Sequence, residues 1–349
     1  MKPEPFRIEP IFSPRIWGAR SLAPLFPEKT NLKEPLGEAW LTGVDCCVAS
    51  GPFGGKSLGA AWDEMSADWR GERFATGSPF PLLLKFLFPT EKLSIQVHPN
   101  DAYAQAREKA AGGRGKTEMW HVVSAQTKAQ VLVGLKPGVN RDKFLEGLAR
   151  NKLEELFEAY PVYAGDTLFV PAGTPHTIGP GMVICEIQEY SDLTYRVYDY
   201  GRLDPQGQPR ELHIEKALEV TRFGKSLGGK VAPLQLENEG ATKRLLAACR
   251  YFATERWECS ARCEMCIDPA RFELVVILNG SGALSWQGGS ARFQRGECWI
   301  VPASQRNLAL LPEGPLTLVR SYVPDVAVLR AELHRAGISA AALSQVVFD

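Results

Sequence analysis

The stretch Ser94-Ile95-Gln96-Val97-His98-Pro99-Asn100 follows an apolar run, residues 81–89, whose one charge is Lys85. Gln96 and His98 are two apart, and on a strand such positions point to one face. A strand leaving the core here would set an amide oxygen beside an imidazole. Two further segments offer partners: Gly115-Lys116-Thr117-Glu118-Met119-Trp120, and 165–176 ending in His176. Gln96, His98, Glu118 and His176 together form a nitrogen and oxygen donor set suited to Zn²⁺. Three or four protein ligands leave a coordination position open for water or substrate. Alone, His98 reads as an ordinary structural histidine; the combination makes it a ligand candidate.

Alternation over 117–124 places Glu118, Trp120 and Val122 on one face and Met119, His121 and Val123 on the other. His121 is therefore expected to point away from Glu118. Lys116 shares the face of Glu118. It is either a solvated loop lysine or a cation beside the metal, its pKa lowered by the metal and partial burial, serving as acid, base or phosphate anchor. Arg196, in Tyr195-Arg196-Val197-Tyr198, reads as an edge ion pair or as electrostatic support for an enediolate or phosphate.

Around these segments the text is mostly strands and turns. Residues 1–55 are rich in Pro and Gly, with an edge strand at 6–12. Helices are expected at 57–67, capped by Ser57, and at 99–110, begun by Pro99. Amphipathic spacing predicts further helices over 141–159, from Phe144, Leu145, Leu148, Leu153 and Leu156, and over 211–223. Strands are expected at 129–135, 167–170, 182–190 and 195–200, then repeatedly from 245 to 322. Helical character returns at 327–343. The Gly-containing segment 224–240 is the expected boundary.

The two halves carry a shared pattern. Gly165, Pro171, Gly173 and His176 have the spacing of the second cupin signature, with Pro180 where its final Asn would stand. Gly296, Pro302, Ser304 and Asn307 repeat that spacing with Ser for Gly and Asn for His. Glu273 and Gly280 match the first signature, without its paired histidines. The expected fold is mainly β: a bicupin of two jelly-roll-like barrels, with a few helices inserted and at the C-terminus. Residues 1–235 would form a cupin domain with the metal site and helical insertions, and 236–349 a degenerate second cupin.

Composition narrows the function. Of 349 residues, 45% are hydrophobic and 23% charged, enough for a sizeable core. Forty basic and forty acidic residues balance, which argues against nonspecific nucleic-acid or membrane-surface binding. No signal peptide or long apolar run is evident, and the eight cysteines follow no disulfide-scaffold pattern, so a cytoplasmic location is expected. Cys263 and Cys266 form a C-x-x-C without a second pair, and read with Cys259, Cys46 and Cys47 as structural. His213 and His334 lack ligand partners. There is no P-loop, dinucleotide fingerprint or nucleophile elbow.

Trp17-Gly18, 37–40 (GEAW), 93–100 (LSIQVHPN), 115–120 (GKTEMW), 165–176 (GDTLFVPAGTPH), 186–202 (EIQEYSDLTYRVYDYGR) and 210–217 (RELHIEKA) occur in this order. On these segments the chain resembles the type I phosphomannose isomerases, in their short bacterial form. The resemblance implies one Zn²⁺ per chain and interconversion of mannose 6-phosphate and fructose 6-phosphate. It implies His98, Glu118 and His176 as metal ligands with Gln96 as the fourth. Arg196 matches the family's active-site arginine, and Lys116 a lysine of proton transfer or phosphate contact. The general base is not assigned by it. The implied partner is a small sugar phosphate. The competing expectations are a non-catalytic sugar-binding bicupin and a cupin isomerase of another sugar phosphate.

Overall fold

Strand Leu82–Leu87 is buried along its whole length, and its two faces serve different cores. Leu82, Leu84 and Phe86 pack outward into the largest apolar cluster, while Leu87 packs into the interior of the first half. Such a strand must lie between layers, and the layering follows from it. The computed structural model describes residues 2–204, 206–224, 228–236 and 240–349. Part of the expected boundary segment, 225–227 and 237–239, lies outside the described residues.

The first half is a sandwich of two sheets. Its seven-stranded sheet runs Gly229–Val231, Thr167–Val170, Glu118–Ala125, Met182–Glu189, Leu82–Leu87, Leu36–Trp40, Ile11–Ala19. Facing it are Tyr195–Tyr198, Ile95–Val97, His176–Ile178, Gln130–Leu135 and Phe157–Pro161. Trp120, Val122, Val131, Val133, Leu168 and Ile184 fill the space between. The outer face of the five-stranded sheet, with Val97, Leu132 and Leu135, is covered by Phe144, Ala217 and Leu218 from helices Arg141–Ala149 and Ile214–Val220.

The second half repeats the plan. Its seven-stranded sheet runs Phe6–Ile8, Cys298–Val301, Glu273–Asn279, Leu316–Tyr322, Ala253–Cys259, Thr242–Ala248, Leu234–Leu236, and it faces a four-stranded sheet. Leu84, Phe86 and Ile187 from one seven-stranded sheet and Leu274, Val276 and Val319 from the other share one cluster, so the two sandwiches are joined through apolar faces. The architecture is the mainly β, jelly-roll-like pair that the spacing predicts. The crossing between halves is local: Gly229–Val231 pairs with Thr167–Val170, and Leu234–Leu236 with Thr242–Ala248. Strand Phe6–Ile8 pairs with Cys298–Val301, so the start of the chain edges the sheet of the second half.

Several expected helices are shorter. Over 141–159 the α-helix ends at Ala149; Asn151 takes φ +56°, a 3₁₀ turn spans Leu153–Leu156, and strand Phe157–Pro161 follows. Leu153 and Leu156, three apart, stack on a 3₁₀ turn as well as on an α-helix. Over 211–223 only Ile214–Val220 is helical, and over 99–110 the α-helix is Asp101–Arg107, with the Asn100 side chain as its cap, followed by a 3₁₀ turn over Lys109–Ala111. Ser57 caps Leu58–Glu64 as expected. Among the described residues no helix is long and apolar enough to cross a membrane.

Candidate metal centre

The five-stranded sheet sets three of the candidate residues in one row. Gln96 lies opposite His176 on one side and opposite Arg196 on the other. His98 follows one residue after the end of strand Ile95–Val97. Its carbonyl accepts from the Gly173 N–H at 2.8 Å, which ties the turn before His176 to it. Gly173 sits at φ +84°, where a Cβ would meet the Val220 carbonyl at 2.9 Å, so glycine is required. Glu118 enters from the facing sheet, at the start of Glu118–Ala125.

Ligand atoms of His98, Glu118 and His176 lie within 4.8 Å of one another, and all three side chains are buried. His176 Nε2 is 3.3 Å from Glu118 Oε1, and His98 Nε2 is 3.6 Å from Oε2. The other ring nitrogens face carbonyls: His98 Nδ1 meets Leu193 O at 2.9 Å, and His176 Nδ1 meets Thr174 O at 2.8 Å. Each Nδ1–H therefore donates outward and each Nε2 lone pair points at Glu118, the tautomer a metal ligand needs. Burial drives the His176 pKa down to about 4 and that of His98 well below the ordinary value, so both rings are neutral. Gln96 Nε2 stands 3.3 Å from His176 Nε2; turning the amide over presents its oxygen there instead.

Glu118 is fully buried, and neither carboxylate oxygen has an aligned hydrogen-bond donor. The Lys116 ammonium lies 2.6 Å from Oε2, an ion-pair contact outside hydrogen-bond angles. The Lys116 ammonium, also 3.3 Å from His98 Nε2, offsets part of this buried charge, and two neutral imidazoles converging on a carboxylate form a donor set that suits a metal ion. The donor set therefore fits a metal ion, held by His98, Glu118 and His176 with Gln96 beside them.

Lys116 departs from expectation in one respect. Burial lowers its pKa, but Glu118, Glu186 and Asp192 outweigh burial and raise it, so it stays an ammonium in this arrangement. His121 points away from Glu118, as its alternation requires, and meets Thr167 Oγ1 at 3.3 Å on the opposite face.

A cavity of about 430 Å³ opens beside the cluster, with Gln96, Lys116 and Glu186 on its inner wall and Arg15, Arg196 and Arg210 among its other walls. A larger groove of about 890 Å³ lies at the opposite ends of the same strands, beside Phe88, Ser124 and Met182. Its lining holds no carboxylate, imidazole or thiol, so the smaller cavity carries the chemistry. Arg196 donates to the Glu211 carbonyl at 2.8 Å, and among the described residues it makes no ion pair. Arg210 bonds Asp199 instead, Nε to Oδ2 at 2.7 Å. Burial and the neighbouring Arg210 and Arg202 lower the Arg196 pKa, leaving a guanidinium short of negative charge at the cavity.

Lys85, Asp192 and Glu186 are among the cavity residues that sequence reasoning did not assign to the site. Lys85 bonds Asp192 at 2.6 Å and sits 4.0 Å above the Trp40 ring. Glu186 accepts from Trp120 Nε1 at 3.2 Å, lies 3.9 Å from Lys116 Nζ, and is pushed up to about 7, chiefly by burial. The signal was present: a single lysine in an apolar run, and a glutamate on a strand buried at every position.

Residues 6–133 match the family model described as phosphomannose isomerase type I, catalytic domain, and 241–323 match mannose-6-phosphate isomerase, cupin domain. The chain is 33% identical to a mannose-6-phosphate isomerase of Streptococcus mutans over 91% of its length and 98% of that protein. It is 31% identical to one of Bacillus subtilis, over 86% and 94%. A crystal structure of a Bacillus subtilis mannose 6-phosphate isomerase superposes with a TM-score of 0.82 at 31% identity, covering 91% of this chain and 99% of that one. On this identity over nearly its whole length, the chain belongs to the type I mannose-6-phosphate isomerase family.

Proposed function

We propose that this protein is a metal-dependent aldose–ketose isomerase that interconverts mannose 6-phosphate and fructose 6-phosphate through a cis-enediol, with one Zn²⁺ per chain. The observation that carries the proposal is the buried cluster in which the Nε2 atoms of His98 and His176 and the Lys116 ammonium converge on Glu118 at the wall of a polar cavity. Bound between them, zinc would supply a Lewis acid for the sugar oxygens.

The rest of the task falls to side chains. Moving a proton between C2 and C1 needs a base, a stabiliser for the developing oxyanion and a fixed phosphate. Lys116 and Glu186, 3.9 Å apart at the inner wall, form the proton-handling pair: an ammonium that can donate and a carboxyl poised near neutrality. Arg196, without a carboxylate partner, is placed to take an anionic oxygen of the substrate.

A coupled assay tests the proposal: mannose 6-phosphate is supplied and fructose 6-phosphate detected, before and after chelation, then with Zn²⁺ restored. Activity lost on chelation and regained with zinc is the expected result. Absence of turnover with zinc bound would remove the assigned substrate and leave a sugar-binding bicupin or an isomerase of another sugar phosphate.

A further inference from the structure

The loop that carries Lys116 is held by its backbone. Three consecutive N–H groups each meet an acceptor from elsewhere in the chain: Gly115 N–H to Asp101 Oδ1 at 3.0 Å, Lys116 N–H to Pro99 O at 3.0 Å, Thr117 N–H to Glu189 Oε1 at 2.6 Å. The fit is close, because a Cβ on Gly115 would lie 2.6 Å from the backbone of Asn100 and Asp101.

Asp101 is itself tied to the second half. Tyr251 donates its hydroxyl proton to Asp101 Oδ2 at 2.6 Å, and Arg250 Nη2 donates to the same oxygen at 2.9 Å. Both side chains come from the turn between strands Thr242–Ala248 and Ala253–Cys259. Burial and the neighbouring Asp101 charge push Glu189 up to about 8, so it can carry a proton beside Asp101 near neutral pH. Lysine has a flexible four-carbon stem, so its ammonium is positioned only as well as its backbone is.

We propose that Tyr251 and Arg250 of the second half, acting through Asp101, are positioning residues that hold the Lys116 loop in its working conformation. This gives the second half a part in the first half's site, and it rests on the isomerase role of Lys116 proposed above.

The zinc-loaded full chain is compared as wild type, Tyr251→Phe, Arg250→Ala/Tyr251→Phe, Lys116→Met and Lys116→Met/Tyr251→Phe. Amide hydrogen exchange over 115–117 is expected to speed up at least about tenfold in the Tyr251 variants. Their kcat is expected to fall about tenfold or more with KM and metal content kept, the scale of a small misplacement. In the Lys116→Met background, Tyr251→Phe adds no further loss, whereas general destabilisation would multiply it. Unchanged exchange at 115–117, or losses that multiply, would overturn the proposal. A wild type that does not isomerise mannose 6-phosphate removes the proposed function alone; the exchange result then decides the clamp by itself.

Discussion

Glu273 occupies in the second half the register that Glu118 occupies in the first. Glu118 lies opposite Val170, just before Pro171, and Glu273 opposite Val301, just before Pro302. Two positions along, Trp120 faces Glu186 in one half and Val275 faces Arg320 in the other. Arg320 grips Glu273 through Nε and Nη2, each at 2.5 Å. The second half thus meets its buried carboxylate with a guanidinium, where the first presents two imidazoles and the Lys116 ammonium.

Glu118→Gln and Glu273→Gln should therefore separate. The first is expected to abolish metal binding, read by elemental analysis after dialysis. The second should keep one metal per chain but lower unfolding free energy by about 3–5 kcal/mol, the usual cost of stranding one member of a buried ion pair. A stable Glu273→Gln chain in urea titration, or one that loses its metal, would contradict this assignment.

Lys116→Ala should lower kcat by about 10²–10⁴-fold with metal retained, as expected for removal of a proton-transfer group. Arg196→Ala should lower kcat/KM by about 10²-fold through lost charge stabilisation. Steady-state kinetics on zinc-loaded variants check both. Wild-type rates in either would reassign that residue to structure.

His121 makes a pH prediction. Burial, then Arg256, lowers its pKa to about 3 in the folded chain, against about 6.5 unfolded. Below the unfolded value the unfolded chain binds a proton that the folded chain refuses. Its contribution is complete above pH 6.5 and is lost as pH falls toward 3. His121→Gln should flatten the fall in stability between pH 6 and 4 by up to about 1.4 kcal/mol per pH unit. Parallel slopes for variant and wild type in urea titrations would show that His121 is not held neutral.

The eight cysteines are all free, and only Cys47 and Cys266 are exposed. Burial raises Cys46 to about 11 and Cys249 to about 12, and raises Cys185 and Cys298 too. The neighbouring Cys259 thiol lowers the Cys263 pKa, but Cys263 is buried. An aromatic disulfide reagent should take two equivalents quickly and the other six only after denaturant is added. More than two fast equivalents would mean that one of the six buried thiols is reached in the folded chain.

The cluster of His98, Glu118 and His176, with Gln96 beside it, was legible because its chemistry is local: Gln96 and His98 stand two apart at the end of one strand, and Glu118 and His176 each close a short motif. Lys85 and Glu186 were harder, since each gains its meaning from a strand distant in sequence, where Glu186 lies opposite Lys85. Helix lengths were overestimated where apolar spacing of three or four fits a 3₁₀ turn as well as an α-helix, as at Leu153 and Leu156. The Arg250–Asp101 contact joins the two halves and leaves no mark in either local pattern.

Strand Phe6–Ile8 has a consequence for how the chain is made. It is synthesised well before its partner Cys298–Val301. The first sandwich has all its own strands once residue 231 has emerged, so it can assemble during synthesis while the N-terminal strand waits. Closing that pair joins segments far apart in sequence, the kind of contact that forms slowly. A bulky group placed just before Phe6 should therefore burden the last step, the completion of the second sheet, and leave the half that carries the His98, Glu118 and His176 cluster to fold first.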